Sequence, residues 1–309
     1  MQRADSAPSP SLCQTLALGL LQGPIELLPV SSSAHTTLIP WLAGWPCSGL
    51  DPELRKSFEV ALHAGAAAAL AIAMRVELID SARVLSRRRV AVIALSLGPP
   101  VLAGYTLERS IERRFGEPRS IAAGLLAGAL AMAFADLRPG RGDSAGSGTD
   151  RERRGAGHDG DHARGTRRED EAGPRDGLAL GIAQVAALIP GVSRSGATLT
   201  AARARGFARE DAQTLSWHAG LPVILGASAL KAWRLWRRGV PDGAGPKLAV
   251  GAASAFVSTR ASARLLSRPW VSERGLLPYA LYRCTIALVA IGRLREDAEY
   301  ERMKPRVHT

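Results

Sequence analysis

The stretch Leu188-Ile189-Pro190-Gly191-Val192-Ser193-Arg194-Ser195-Gly196-Ala197-Thr198 lies inside an apolar run from Leu178 to Leu199. A guanidinium flanked by hydroxyls and two glycines is a way to grip a tetrahedral oxyanion. The arginine supplies a planar fork of donors, and glycine lets backbone N–H groups come close. An arginine in so apolar a segment is costly unless it is paired or faces water, which makes Arg194 a functional candidate. The simpler alternative is a Gly/Ser turn between two helices whose arginine reaches sideways to the interface.

Working outward, the 309 residues average a mean hydropathy of +0.01, which hides a block structure. Charge is concentrated in a few patches, and between them run Ser57 to Met74, Val90 to Leu107, Ile121 to Phe134, Leu178 to Ile189 and Leu215 to Leu230. Most of these runs are near the ~20 residues that cross a bilayer, and they are rich in Ala, Gly and Leu, as close-packed membrane helices are. The expectation is an all-α polytopic integral membrane protein. A net charge of +12 does not indicate nucleic acid, because the basic residues sit at the ends of apolar runs and only 5% of residues are aromatic. Arg83 with Arg87 to Arg89 suits the cytoplasmic side of a membrane and contact with anionic lipid. Cys13, Cys47 and Cys284 have neither disulfide-framework nor zinc spacing.

Four segments follow from this pattern: a first half, 1–138; a polar linker, 139–177; a second half, 178–292; and a charged tail, 293–309. The first half opens with an apolar helix, Leu12 to Leu28, in which Gln22 and Glu26 share a face. Pro24 and Pro29 break or kink it, so freed backbone groups need a cavity, water or ligand. Pro29-Val30-Ser31-Ser32-Ser33-Ala34-His35 follows, then a second short apolar piece, so that 12–45 reads as a hairpin that dips into the membrane and returns. A carboxylate, three hydroxyls and an imidazole within ten residues are the ingredients of acid–base or nucleophilic chemistry. Pro99-Pro100 is expected to kink the span that holds it. The linker is Gly, Arg, Asp and Glu without large apolar residues, so disorder is expected over it; His158 and His162 within it carry no metal expectation. His63 and His218 read as hydrogen-bonded core histidines, and Glu59 with Arg283 as an intramembrane ion pair.

The halves echo each other. Leu28-Pro29-Val30-Ser31-Ser32-Ser33 parallels Ile189-Pro190-Gly191-Val192-Ser193-Arg194-Ser195, and His63-Ala64-Gly65 is matched downstream by His218-Ala219-Gly220. Interrupted apolar segments at corresponding places point to a site at the repeat interface near mid-membrane. An odd number of spans between the hairpins inverts the second half, which gives two inverted-topology repeats, each with a re-entrant helical hairpin.

Taken together, these residues resemble the undecaprenyl-diphosphatase family of bacterial membrane proteins associated with bacitracin resistance. The resemblance rests on Gln22-Gly23-Pro24-Ile25-Glu26 leading into Pro29-Val30-Ser31-Ser32, on Pro190 to Thr198, and on the segments Lys56 to Val60 and Tyr279 to Arg283. It implies hydrolysis of undecaprenyl (polyprenyl) diphosphate to the monophosphate and inorganic phosphate, a divalent cation (Mg2+ or Ca2+), and a multi-pass protein of the bacterial inner membrane whose site opens to the outer face. It also implies a lipid substrate among membrane lipids, no nucleic acid, and a possible homodimer. Carried over, Glu26 and Gln22 hold the cation, Ser32 is the nucleophile and His35 the acid or base. Arg194 clamps the phosphates with Ser31, Ser33, Ser193, Ser195 and Thr198 around it. Three departures stand out: Gln22 in place of a second carboxylate, Arg203 and Arg205 where an apolar stretch is usual, and the long linker. A polyprenyl-phosphate flippase or an inactive relative is the alternative, separated from the enzyme by whether phosphate is released.

Overall fold

A computed structural model describes residues 10–45, 51–76, 79, 83, 86–137, 167–241, 243–266 and 275–303. The described chain is all-α. Its main helices are α1 (Leu12–Leu27), α2 (Ser32–Leu42), α3 (Pro52–Ala73), α4 (Arg87–Phe115), α5 (Pro118–Leu137), α6 (Pro174–Ala186), α7 (Arg194–Ala204), α8 (Arg209–Arg238), α9 (Gly245–Leu266) and α10 (Leu277–Met303). The starts are written in the sequence. Ser11 and Gln14 form a capping box before α1, Asp51 caps α3 with Pro52 in its first turn, and Ser86 caps α4.

Among the described residues four helices, α3, α4, α5 and α10, are long and apolar enough to cross a membrane. This is a polytopic membrane protein, and its outer surface agrees: Val101, Leu102, Leu130, Phe134, Leu281 and Leu288 are exposed. Patches of that kind are covered by a partner or by lipid.

Packing crosses between the halves: α1 lies against α9, and α6 lies against α4, while α3 pairs with α8 and α5 with α10. Small residues set the close approaches. A Cβ on Gly65 would overlap the Ala252 carbonyl, and one on Gly181 would overlap the Leu95 carbonyl. Prolines within the helices are compensated in the same crossed fashion. Pro24 has no N–H for the Leu20 carbonyl, and Ser258 Oγ of α9 donates to it instead. Pro100 likewise frees the Ser96 carbonyl, which takes a 2.9 Å hydrogen bond from Gln184 Nε2 of α6. The helix thus continues through both prolines, and α4 runs beyond the apolar run that ends at Leu107 as far as Phe115.

Two chain breaks share one geometry. Between α1 and α2 stands Ser31 at φ 77°, and between α6 and α7 stands Ser193 at φ 65°; among the described residues these are the only non-glycines with positive φ. Such a backbone costs about 1–3 kcal/mol and persists where surrounding structure fixes it.

The expected disorder of 139–177 does not reach 177. Residues 138–166, with His158 and His162, lie outside the described residues, but from Arg167 onward the chain is folded and α6 begins at Pro174. Arg167 pairs with Phe207 as a parallel bridge and its guanidinium stacks 4.2 Å over the Phe207 ring. It also bonds Asp176 at 2.8 and 3.1 Å, and Arg205 reaches the same carboxylate at 2.6 Å. Arg203 donates to the Phe207 carbonyl at 2.6 Å. The arginines that departed from the apolar pattern thus close the α7–α8 turn onto the end of the linker.

Candidate active site at two broken helices

Breaking two helices inside an apolar protein leaves carbonyls without donors, and one side chain answers both breaks. Arg283 of α10 is fully buried. Its Nη1 donates to the Pro29 carbonyl at 3.3 Å, and its Nη2 donates to Gly191 and Val192 at 2.8 and 3.0 Å. The expected ion pair of Arg283 with Glu59 is therefore replaced by carbonyls of both breaks, where a buried guanidinium satisfies more groups than one carboxylate would. Glycine makes the room: a Cβ on Gly128 would overlap Arg283, and one on Gly196 would sit 2.8 Å from its Nη1.

Held in this way, the breaks present matching serines. Ser31 Oγ lies 3.3 Å from Ser33 Oγ, and Ser193 Oγ lies 3.3 Å from Ser195 Oγ. Thr36 Oγ1 bonds the Ser32 and Ser33 carbonyls just as Thr198 Oγ1 bonds those of Arg194 and Ser195. Ser195 Oγ also reaches the Leu28 carbonyl at 3.4 Å, so the two tips touch.

Glu26 sits where they meet. Its Oε1 takes a 3.0 Å bond from Arg194 Nη2 and its Oε2 a 3.1 Å bond from Gln22 Nε2, and Ser32 lines the same cavity as the carboxylate. Arg194 is oriented further by a 3.2 Å bond from Nη1 to the Gly220 carbonyl, close to Pro222 in α8. Glu26 and Arg194 line a cavity of ≈ 240 Å3 with Ser31, Ser32, Ser33 and Ser193 on its wall.

The geometry thus gathers Gln22, Glu26, Ser31, Ser32, Ser33, Ser193, Arg194 and Ser195, with Thr198 bracing the start of α7. His35 is placed differently from the expected acid or base. Its Nδ1 is 2.7 Å from the Ser31 carbonyl, its Nε2 is 2.8 Å from the Tyr282 hydroxyl, and it does not line the serine cavity. Both ring nitrogens are committed to neighbours, which suits a residue that fixes the Ser31 turn. His63 moves the other way: its Nδ1 lies 3.1 Å from Gln22 Nε2 and 3.4 Å from Glu26 Oε2, and it lines the cavity. The signal for it was the His-Ala-Gly echo. His218, its counterpart, instead stands 3.9 Å from Glu169 at the linker end.

The described residues contain no group of three or more His, Cys, Asp or Glu able to hold a metal ion. The oxygens at hand are the Glu26 carboxylate, the Ser32 hydroxyl and Gln22 Oε1, which is buried with no hydrogen-bond partner. Mg2+ uses one or two carboxylates together with substrate phosphates, so this donor set fits a cation shared with a diphosphate better than a protein-only cage.

Residues 15–289 match the family described as bacitracin resistance protein BacA. The undecaprenyl-diphosphatase of Geobacter metallireducens is 37% identical over 278 residues, covering 86% of this chain and 92% of that protein. The one from Geobacter sulfurreducens is 39% identical over 279 residues with the same coverage, and that from Pelobacter propionicus is 35% identical over 286 residues, 88% of this chain and 93% of its own.

Proposed function

The chain belongs to the bacitracin resistance protein BacA family, and from that membership together with the site geometry we infer that it is an undecaprenyl-diphosphatase. It hydrolyses undecaprenyl diphosphate to undecaprenyl phosphate and inorganic phosphate. The observation that carries this reading is the 3.0 Å pairing of one carboxylate, Glu26, with Arg194, the only guanidinium lining the serine cavity among the described residues, on a wall that also carries Ser32.

Phosphoryl transfer needs chiefly positioning and charge neutralisation. Arg194 is held on Glu26 until the terminal phosphate arrives and takes over its donors; Glu26 is then free to accept the Ser32 proton. Ser32 Oγ attacks the terminal phosphorus, the bond from that phosphorus to the bridging oxygen breaks, and the electron pair leaves with undecaprenyl phosphate. Water then attacks the phosphoserine phosphorus, and Ser32 Oγ departs with the proton returned from Glu26 as phosphate is released. Ser31, Ser33, Ser193 and Ser195 donate to the phosphate oxygens, and His35 holds the Ser31 turn. A divalent cation held by Glu26 and Gln22 Oε1 supplies charge neutralisation when bound.

The same reading makes α1–α2 and α6–α7 re-entrant hairpins of two inverted repeats in the bacterial inner membrane. The paired positive φ values at Ser31 and Ser193 and the matched hydroxyl contacts support it. The site opens to the outer face. Arg87 to Arg89 and the Arg203 to Arg209 turn then lie inside, as the positive-inside tendency favours, whereas the basic cluster Lys231 to Arg238, at the far end of α8, lies outside, against that tendency.

Phosphate release from a polyprenyl diphosphate by the purified protein tests this. Glu26→Gln, Ser32→Ala and Arg194→Lys are each expected to lower turnover by about 100-fold or more. A rate close to wild type in any of the three removes the proposed site.

A further inference from the structure

Behind the Glu26–Arg194 pair lies a second cavity, ≈ 360 Å3, which shares Glu26, Arg194, Ser195 and Thr198 with the serine site and extends well beyond them. The two cavities meet α8 at different levels. The serine-lined one touches Val223 to Lys231, and this one touches Arg209 to Ile224. At about 1.5 Å per residue, Arg209 and Lys231 are about 33 Å apart, close to the thickness of a bilayer core. The second cavity therefore lies towards the opposite end of the helix, beside the turn that holds the end of the linker.

Beyond the shared residues, its polar lining is Arg203, Arg209, Arg260 and Arg264 together with Gln213 and Ser216. Glu26 lines the cavity with these groups, and Asp136 Oδ1 lies 3.5 Å from Arg209. Arg203 is itself buried, 6% exposed, so the charge is built into the fold. The lining is otherwise apolar and includes Leu70 and Met74 of the α3 end and Trp217 and Ile224 of α8. Guanidinium forks match phosphate oxygens two at a time, and the volume falls within the ~300–1,000 Å3 of small-molecule sites. A free phosphate has no use for the apolar lining, whereas an amphiphile uses both.

We propose that this cavity binds the phosphomonoester head of a membrane lipid, the head on Arg260 and Arg264 and the first carbons of the chain along Leu70, Met74 and Ile224. The cavity borders the serine site through Glu26, Arg194, Ser195 and Thr198, but Arg260 and Arg264, on which the head is placed, take no part in the hydrolysis described above.

The full chain in nanodiscs is titrated with radiolabelled farnesyl monophosphate, and phosphate release from farnesyl diphosphate is measured on the same samples. The double variant Arg260→Gln/Arg264→Gln is expected to weaken one class of binding by about tenfold or more while turnover stays within about twofold of wild type. Arg260→Lys/Arg264→Lys, which keeps the charge, is expected to recover most of the binding and guards against a folding artefact. Inorganic phosphate at matched concentration is expected not to displace the lipid. Binding unchanged in the glutamine double variant overturns the site, and equal displacement by inorganic phosphate overturns the lipid assignment in favour of free phosphate. Loss of turnover in the Ser32→Ala protein with this binding intact leaves the two readings separately decided.

Discussion

Gly196 shows how tightly single residues are specified. An alanine there would place Cβ 2.8 Å from Arg283 Nη1 and 3.1 Å from Met132 Sδ, and the guanidinium cannot move aside without dropping the carbonyls it holds. Gly196→Ala is expected to destabilise by about 1–3 kcal/mol, read as a lower Tm in detergent. Arg283→Met is the harsher change, because it leaves the Pro29, Gly191 and Val192 carbonyls unpaired. At about 1–3 kcal/mol per buried orphan it should cost about 3 kcal/mol or more and take phosphate release with it. His35 Nε2 lies 2.8 Å from the Tyr282 hydroxyl, so the positioning role proposed for it can be probed through Tyr282. Tyr282→Phe is expected to lower kcat while leaving the shape of the pH–rate profile unchanged; a lost or shifted limb would restore His35 as the proton carrier. At this scale the gathering of the motif residues was legible in the sequence, because the two echoed breaks carry them at corresponding places. Arg283 was legible only as a buried charge needing a partner, and its true partners are backbone carbonyls, which every residue carries and no sequence pattern marks. His63 was read as core because its approach to Glu26 depends on how α3 packs beside α1.

At the scale of elements, the chain is a set of helices whose faults are mended by their neighbours. Pro24 and Pro100 each free a carbonyl that a side chain from the other half satisfies. The prolines could be read in the sequence as kinks, but the donors could not, since Ser258 and Gln184 are ordinary polar residues until α9 meets α1 and α6 meets α4. The same holds for the α7–α8 turn, where Arg203 and Arg205 read as misplaced charge until Phe207 and Asp176 stand beside them. Asp176, at the aqueous end of α6, carries a pH prediction. Burial works against its charged form, but hydrogen bonds from Arg167, the Gly173 N–H and Arg205 outweigh that cost and hold its pKa at about 2, against 3.8 ordinarily. With the folded value below the unfolded one, its contribution is present above about pH 4 and fades as pH falls towards 2. That difference corresponds to about 2 kcal/mol. Wild type is therefore expected to lose more stability than Asp176→Asn between pH 5 and 2, with the gap between their Tm values closing at the acid end. Parallel curves across that window would mean that the pair of arginines does not hold the turn.

For the whole molecule, the order of apolar runs and the serine echo indicated the class of protein and the site at the meeting of two halves; which helix packs on which was beyond the pattern. The crossed pairing of α1 with α9 and α6 with α4 joins the halves along their length, so neither hairpin is buried by its own half alone. Direction through the membrane then becomes the decisive property. If both short pairs turn back at their serine tips, the two ends of each pair share a side, and the two pairs enter from opposite sides. Cys13 and Ala43, exposed at the ends of the first pair, and Arg175 and Ala204, exposed at the ends of the second, are suitable reporters. In a background with Cys47 and Cys284 replaced by serine, Cys13 is expected to react with a membrane-impermeant maleimide in intact cells, and so is Ala43→Cys once Cys13 is also serine. Arg175→Cys and Ala204→Cys, in the cysteine-free chain, are expected to react only after the membrane is permeabilised. Labelling of Cys13 and Ala43→Cys from opposite sides would make α1 and α2 a transmembrane passage, and the serine tips would then lose the inverted arrangement on which a shared mid-membrane site depends.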